Sequence, residues 1–599
     1  MRDKSSRLQN LLVAGNRIQT SRRRFVQGLI GGGVAGSILP FSQLAQAEPE
    51  RVSHVAPVLR GTTIDLVIEE RLVNFTGTVR TATTINGSIP APTLRLKEGD
   101  TVTINVTNRL RESTSIHWHG FILPYQMDGV PGISFSGIAP GETFQYRFKL
   151  QQSGTYWYHS HSAFQEMTGM YGAIIIDPAD GDRVQADQDH VVLLSEWTDE
   201  DPMYVFQKLK TMGHLYNFNQ PTLPQLLNDI EADGLKSAKT RRDMFNVMRM
   251  KPTDLADLSA DTLTYLMNGI TPAGNGSFLF NKGERVRLRL INAAGNTFFD
   301  VRIPELPMTV VEVDGLPVEP VTVDELRFGP GETFDVVIRP QDDACTIFAE
   351  TMDRSGFARG TLATRPGLSA PVPAQRSAPW LTMTDMMGNM QAMDHGGMTM
   401  ENETGGHGAG NHQGGHNMMS MASPEPVMAR HASTEFGAST DMRVDYPRTN
   451  LDDPGIGLRD TSRRVLTLAD LRSVGGNPDP REPGREIELH LTGNMERYSW
   501  SIDGLEYGKS SPVHFRHGEK LRVHIHNDTM MTHPMHLHGM WSDLEDANGN
   551  FLARRHIIPV QPAQRVSFSV TADALGRWAW HCHLLLHMDA GMFREVVVT

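Results

Sequence analysis

Four short clusters of histidine could do chemistry in this chain. They are His117-Trp118-His119-Gly120, His159-Ser160-His161, His533-Pro534-Met535-His536-Leu537-His538-Gly539 and His581-Cys582-His583-Leu584-Leu585-Leu586-His587. A β-strand sends residues i and i+2 to the same face, so each His-x-His pair can aim two imidazoles into one cavity. Four pairs supply eight ligands, enough for three metal ions with positions left open for a small molecule such as O2. The last cluster adds a second site. If His581 and His583 face one way, Cys582 faces the other. With His533, which is offset from the His536/His538 pair, and with His587 and Met592, it completes the two-imidazole, one-thiolate set with a weak axial thioether that suits an electron-transfer copper. Cys582 would then ligate one site while its sequence neighbours ligate the other, a covalent electron path of a few bonds. A single His-x-His is more often an ordinary buried or exposed pair. Four of them around a His-Cys-His are not explained by packing.

Composition points the same way. The chain holds 31 methionines and 24 histidines but only two cysteines, Cys345 and Cys582. Thioether and imidazole suit soft and borderline metals, and two cysteines make no disulfide framework. Twelve of the methionines fall between Met383 and Met442, among them Met386, Met387, Met390, Met393, Met398, Met400, Met418, Met419 and Met421. His395, His407, His412, His416 and His431 lie in the same stretch. Thioethers select Cu(I), so this segment reads as a Cu(I)-collecting arm that could hold additional Cu(I).

The elements that must position these residues repeat along the chain. Ile85-Asn86-Gly87 leads to LRLKEGDTVTINVTNRL (94–110), Met267-Asn268-Gly269 to FLFNKGERVRLRLINAAG (278–295), and Ile502-Asp503-Gly504 to VHFRHGEKLRVHIHNDT (513–529). Each is a turn, a strand, a glycine turn and an alternating strand. A chain of 599 residues is too long for one core. The repeat predicts an all-β protein of three related sandwiches, at roughly 52–178, 186–366 and 450–599. Residues 199–260 have helical spacing and read as a helical insertion in the second. Residues 381–445, poor in core-forming side chains, read as a flexible Met/His-rich linker.

Residues 1–47 have the layout of an export signal: basic residues, a short glycine-rich apolar stretch from Leu29 to Phe41, and Ala45-Gln46-Ala47 for cleavage. Ser21-Arg22-Arg23-Arg24-Phe25-Val26 resembles the twin-arginine signal, which predicts a periplasmic protein. No later segment has the roughly 20 apolar residues of a membrane span, so none is expected in the mature chain. The net charge of −13 disfavours nucleic acid as a partner.

All four clusters resemble the multicopper oxidase signatures. SEWTDEDPMYVFQKLK (195–210) and MRMKPTDLADLSADTLTYLMNG (248–269) are similar to the bacterial copper-resistance protein A branch of that family. The resemblance implies three cupredoxin-like domains and four coppers. His117 and His536 would hold the type 2 ion. His119, His159, His161, His538, His581 and His583 would hold the type 3 pair, and His533, Cys582, His587 and Met592 the type 1 ion. Asp128, in Met127-Asp128-Gly129, matches an acid that related enzymes place beside the type 2 copper, where O2 reduction consumes protons. A second acid of the family pattern is missing: Met588 stands directly after His587, with Asp589 beyond it. The expected activity is oxidation of a one-electron donor, Cu(I) or a small phenol, coupled to reduction of O2 to water in copper resistance. Other periplasmic copper-handling proteins are conceivable partners. The competing readings are a copper-sequestering protein with incidental turnover and a laccase-like phenol oxidase.

Overall fold

The computed structural model describes residues 51–217, 222–248, 252–389 and 427–599. They build six β-sheets, packed in pairs as three cupredoxin-like sandwiches.

The repeat seen in the sequence is a repeat of register. In each sandwich a long strand pairs in parallel with the alternating strand of the repeated motif: Thr63–Val73 with Thr101–Asn108, Gln188–Trp197 with Val286–Asn292, and Arg485–Asn494 with Lys520–Asn527. The turn before each motif is a two-residue hairpin loop. Asn86, Asn268 and Asp503 sit at φ 52°, 50° and 54°, and Gly87, Gly269 and Gly504 at 72°, 73° and 74°. Two successive positive-φ residues match the right-handed twist of the flanking strands, and Asn-Gly or Asp-Gly adopts them at least cost.

Alternation sets which face is buried. Along Thr101–Asn108, Val102, Ile104 and Val106 are buried, with more accessible residues between them. One large core runs continuously through the second and third sandwiches, and the first has its own core around Leu66, Ile104, Trp118 and Tyr158.

The predicted insertion contains three helices, Pro202–Thr211, Leu223–Asp233 and Leu235–Met248. Asp201 caps the first, accepting from Met203 N at 2.8 Å with Pro202 at the first helical position. No helix among the described residues is long and apolar enough to cross a membrane.

The ends of the expected linker differ from a flexible connector. Met383–Met387 is a short helix with Met386 fully buried, and Leu381, Met442 and Val444 are buried in the large core. Arg459 clasps this region: its guanidinium donates to Asp385 Oδ2 at 2.9 Å and to both carboxylate oxygens of Asp453 at 2.8 Å. Low complexity masked a few apolar side chains that were enough to dock both ends. Residues 390–426, with most of the methionines and with His395, His407, His412 and His416, lie outside the described residues, as does the signal-like stretch 1–47.

Candidate metal centre

Strand pairing makes the first contacts. His117 stands opposite His159 in the first sandwich, and His536 opposite His581 in the third, with Met535 opposite Cys582. Paired residues share a face, so His536 and His581 point one way while Cys582 points the other. Three of the four pairs straddle a strand end: the strands are Gly154–His159, His533–Leu537 and Gly576–Cys582, and His161, His538 and His583 lie just past them.

The first and third sandwiches then bring their pairs face to face. His117 stacks on His538 and His119 on His536, each at 4.0 Å between ring centroids. Nitrogens of His117, His119 and His536, of His117, His161 and His538, and of His119, His159 and His583 converge in three groups. His538 Nε2 lies 3.0 Å from His581 Nε2. All eight predicted imidazoles therefore meet in one cavity.

The chemistry of the donors fits metal ions. His117 Nε2, His119 Nε2, His159 Nε2, His161 Nε2, His536 Nε2 and His583 Nε2 are buried without a hydrogen-bond partner, a costly state unless something else engages their lone pairs. Burial holds His119, His159, His161, His533, His536, His538 and His583 well below 6.5 and His581 at about 3. These imidazoles are neutral at physiological pH, the ligating form.

Outer partners fix the tautomers. His117 Nδ1 donates to the Asp128 carbonyl at 2.7 Å, and His536 Nδ1 to the His556 carbonyl at 2.7 Å. His159 Nδ1 lies 2.6 Å from Glu166 Oε2, and His538 Nδ1 donates to Asp128 Oδ2 at 2.9 Å. Each bond turns Nε2 inward, the usual outer shell of metal-binding histidine.

The second site lies behind this one. Cys582 Sγ is 3.5 Å from His533 Nδ1 and 3.9 Å from His587 Nδ1, and the two nitrogens are 3.2 Å apart. Met592 is fully buried beside them, its carbonyl accepting from Cys582 N at 3.1 Å. Burial raises the Cys582 thiol well above 9; a coordinating cation would remove that proton. Trp500 stacks on His587 at 3.8 Å, and Thr529 Oγ1 is 2.7 Å from His533 Nε2. Cys345 is unpaired and lies in the strand Ala344–Thr351 of the second sandwich.

Sequence models of the multicopper oxidase family match residues 67–181, 188–364 and 480–599. The chain is 52% identical to copper resistance protein A of Escherichia coli, covering 97% of this chain and 99% of that one. It belongs to the multicopper oxidase family. A copper resistance protein A homologue of Pseudomonas syringae pv. tomato is 51% identical over the same shares. Among solved structures, the fold resembles the laccase from Botrytis aclada, with TM-score 0.60, 21% identity and coverage of 91% and 88%. It also resembles a Campylobacter jejuni multicopper oxidase, with TM-score 0.54, 18% identity and coverage of 92% and 94%. As a multicopper oxidase of the copper-resistance protein A type, the chain is a copper-dependent enzyme that uses O2 and a reducing substrate.

The second sandwich has no histidine pair where its sister domains do. In this oxidase its equivalent loop is a brace: Gly295 O accepts from Leu585 N at 2.7 Å and Asn296 Oδ1 from Leu586 N at 3.2 Å, holding the turn that carries His587. Glu196, from the branch motif, holds Asn296 and Thr297 in turn. Gly331 closes in as well, and a Cβ there would meet His583 Cδ2 at 2.9 Å.

Four contributors escaped the sequence reading. Glu166 and His556 support ligating imidazoles but sit in no spaced motif. Trp500 reads as an ordinary core residue. Asp257 Oδ2, 2.8 Å from His587 Nε2, comes from the tail of the helical insertion, 330 residues away in sequence.

Proposed function

We propose that this oxidase takes its electrons from Cu(I) in the periplasm and protects the cell by converting Cu(I) to Cu(II). His533, Cys582, His587 and Met592 would hold the type 1 copper, and His117 and His536 the type 2 ion. His119, His159, His161, His538, His581 and His583 would hold the type 3 pair, four coppers in all. Bound copper supplies one-electron redox chemistry at the first site and multi-electron reduction of O2 at the other three. The protein supplies the connection, since Cys582 is peptide-bonded to both His581 and His583. It also supplies orientation, through Asp128 on His117 and His538 and through Glu166 on His159.

The observation that carries Cu(I) over a phenol is Asp257. Its carboxylate lies 2.8 Å from Nε2 of a fully buried His587, so the imidazole edge that a phenol would approach is capped by a group that favours a cation. The methionines of 383–442 other than the core residues Met386 and Met442 would supply soft ligands for the same ion, and additional Cu(I) would be held there. The deciding experiment is O2 uptake by the fully copper-loaded protein with Cu(I) and then a small phenol as donor. A kcat/KM at least tenfold higher for Cu(I) is expected. Cys582→Ser should abolish both activities together with the intense thiolate-to-Cu(II) absorption. Better turnover of the phenol would make the protein a laccase, and copper uptake without O2 consumption would make it a sequestering protein.

A further inference from the structure

A second convergence of metal-binding side chains lies in the third sandwich, apart from the eight histidines and Cys582. His490 comes from the strand Arg485–Asn494, Asp528 follows the strand Lys520–Asn527, Glu435 lies in the single helical turn Ser433–Phe436 and His431 just before it. His490 Nδ1 lies 2.7 Å from Asp528 Oδ2 and 3.5 Å from Glu435 Oε2. His431 Nδ1 lies 2.8 Å from Glu435 Oε2 and 3.7 Å from Asp528 Oδ2. Two nitrogens and two oxygens thus alternate around a ring, all four mutually within 4.8 Å.

We propose that His431, Glu435, His490 and Asp528 bind one divalent first-row ion of the Zn(II) or Cu(II) class, which pins the chain returning from the methionine-rich segment to the third sandwich. Size supports it. Four ligands about 2.0–2.1 Å from a tetrahedral ion stand about 3.3–3.4 Å from one another, and the four nitrogen–oxygen separations bracket that value. Charge supports it too. Glu435 and Asp528 are 1% and 0% exposed, and two carboxylates buried side by side need a compensating cation, a role one divalent ion takes over when it displaces protons from the imidazoles.

The site is also pre-arranged. Glu435 Oε1 accepts from Ala432 N and Asp528 Oδ1 from Val444 N, both at 2.9 Å, so each acid turns its other oxygen to the imidazoles. The outer nitrogens face carboxylates in their turn: His431 Nε2 is 3.3 Å from Asp445, and His490 Nε2 is 3.5 Å from Glu488. That carboxylate–histidine pattern is typical behind a bound metal. Asp445 is exposed, which gives an ion a way in. No sulfur is among the four ligands, so the site suits a borderline divalent ion rather than Cu(I). His431 therefore departs from the role read for it in the sequence, as one more ligand of the Cu(I)-collecting stretch.

The test uses the full chain with its oxidase coppers loaded, followed by the thiolate-to-Cu(II) absorption. Equilibrium dialysis against Zn(II) should give about one more Zn(II) per chain than in the Glu435→Gln/Asp528→Asn double variant. Each single variant should bind that ion at least tenfold more weakly. Zinc held elsewhere, on the methionine- and histidine-rich stretch for instance, is common to both proteins and cancels. Zinc-edge X-ray absorption at substoichiometric Zn(II), where the tightest site fills first, should show a shell of nitrogen and oxygen with imidazole scattering and no sulfur, a readout that needs no variant. Equal zinc in wild type and variants that keep their blue absorption would overturn the proposal. So would a wild-type zinc shell without imidazole. Oxidase activity enters neither readout, so the proposal stands or falls apart from the choice of electron donor.

Discussion

His538 Nδ1 donates to Asp128 Oδ2 at 2.9 Å, and the other oxygen of that carboxylate lies 3.3 Å from His117 Nδ1. One acid therefore orients an imidazole from the third sandwich and another from the first, and it is 1% exposed. It keys the two halves of the histidine cavity to each other. Asp128→Asn keeps the shape but replaces an acceptor-only group with an amide that must turn a donor toward one ring. O2 reduction should fall by about 10–100-fold with the thiolate-to-Cu(II) absorption intact. A variant with unchanged turnover would deny Asp128 any part in the cluster.

His161→Ala should separate the two sites. His161 converges with His117 and His538, whereas His533, Cys582 and His587 form a separate group. The blue absorption should persist while O2 consumption stops, and copper per chain should drop. Near wild-type O2 uptake would place the reduction site elsewhere.

The arm can be removed without disturbing its anchors. Since Met386 and Val444 are core residues, the deletion should run from 391 to 425, leaving the clasp of Arg459 on Asp385 and Asp453. Closure entropy changes slowly with loop length, roughly 0.6 kcal/mol per doubling, so folding should survive. The KM for Cu(I) should rise several-fold and the KM for a phenol should not. Equal losses toward both donors would assign the segment to domain positioning.

The same clasp predicts an acid sensitivity. Burial alone would raise Asp453, but Arg459 and Arg448 outweigh it and bring the carboxyl down from 3.8 to about 2. A carboxyl depressed on folding contributes stability that is complete above its unfolded value and is lost as pH falls through the folded one. In copper-free protein the unfolding midpoint should therefore drop between pH 4 and pH 2 more steeply for wild type than for Asp453→Asn. Parallel pH profiles would remove the ion pair from the stability balance.

Export is a separate matter from chemistry. Replacing Arg22, Arg23 and Arg24 with Lys should leave precursor in the cytoplasm, detected by fractionation, because the twin-arginine route reads guanidinium pairs. Normal maturation would point to the general secretory route.

The sequence by itself determined which residues could hold metal, because ligand chemistry is written in residue type and strand geometry in spacing. The His-x-His pairs, the reversal at Cys582 and the Asn-Gly and Asp-Gly hairpins are all local, and local pattern fixes face and turn. The same pattern read three times gave three sandwiches. Only the tertiary structure decided the partners that depend on domain packing: Asp128 reaching His538 across 410 residues, Asp257 capping His587, the second sandwich bracing Leu585, and His431 meeting His490 and Asp528. None of these contacts has a period or a motif, because a hydrogen bond between distant segments is set by how whole sheets dock. The linker shows the limit from the other side. Its composition obscured Met386, Met442 and Val444, whose burial depends on a groove that only the folded second and third sandwiches provide.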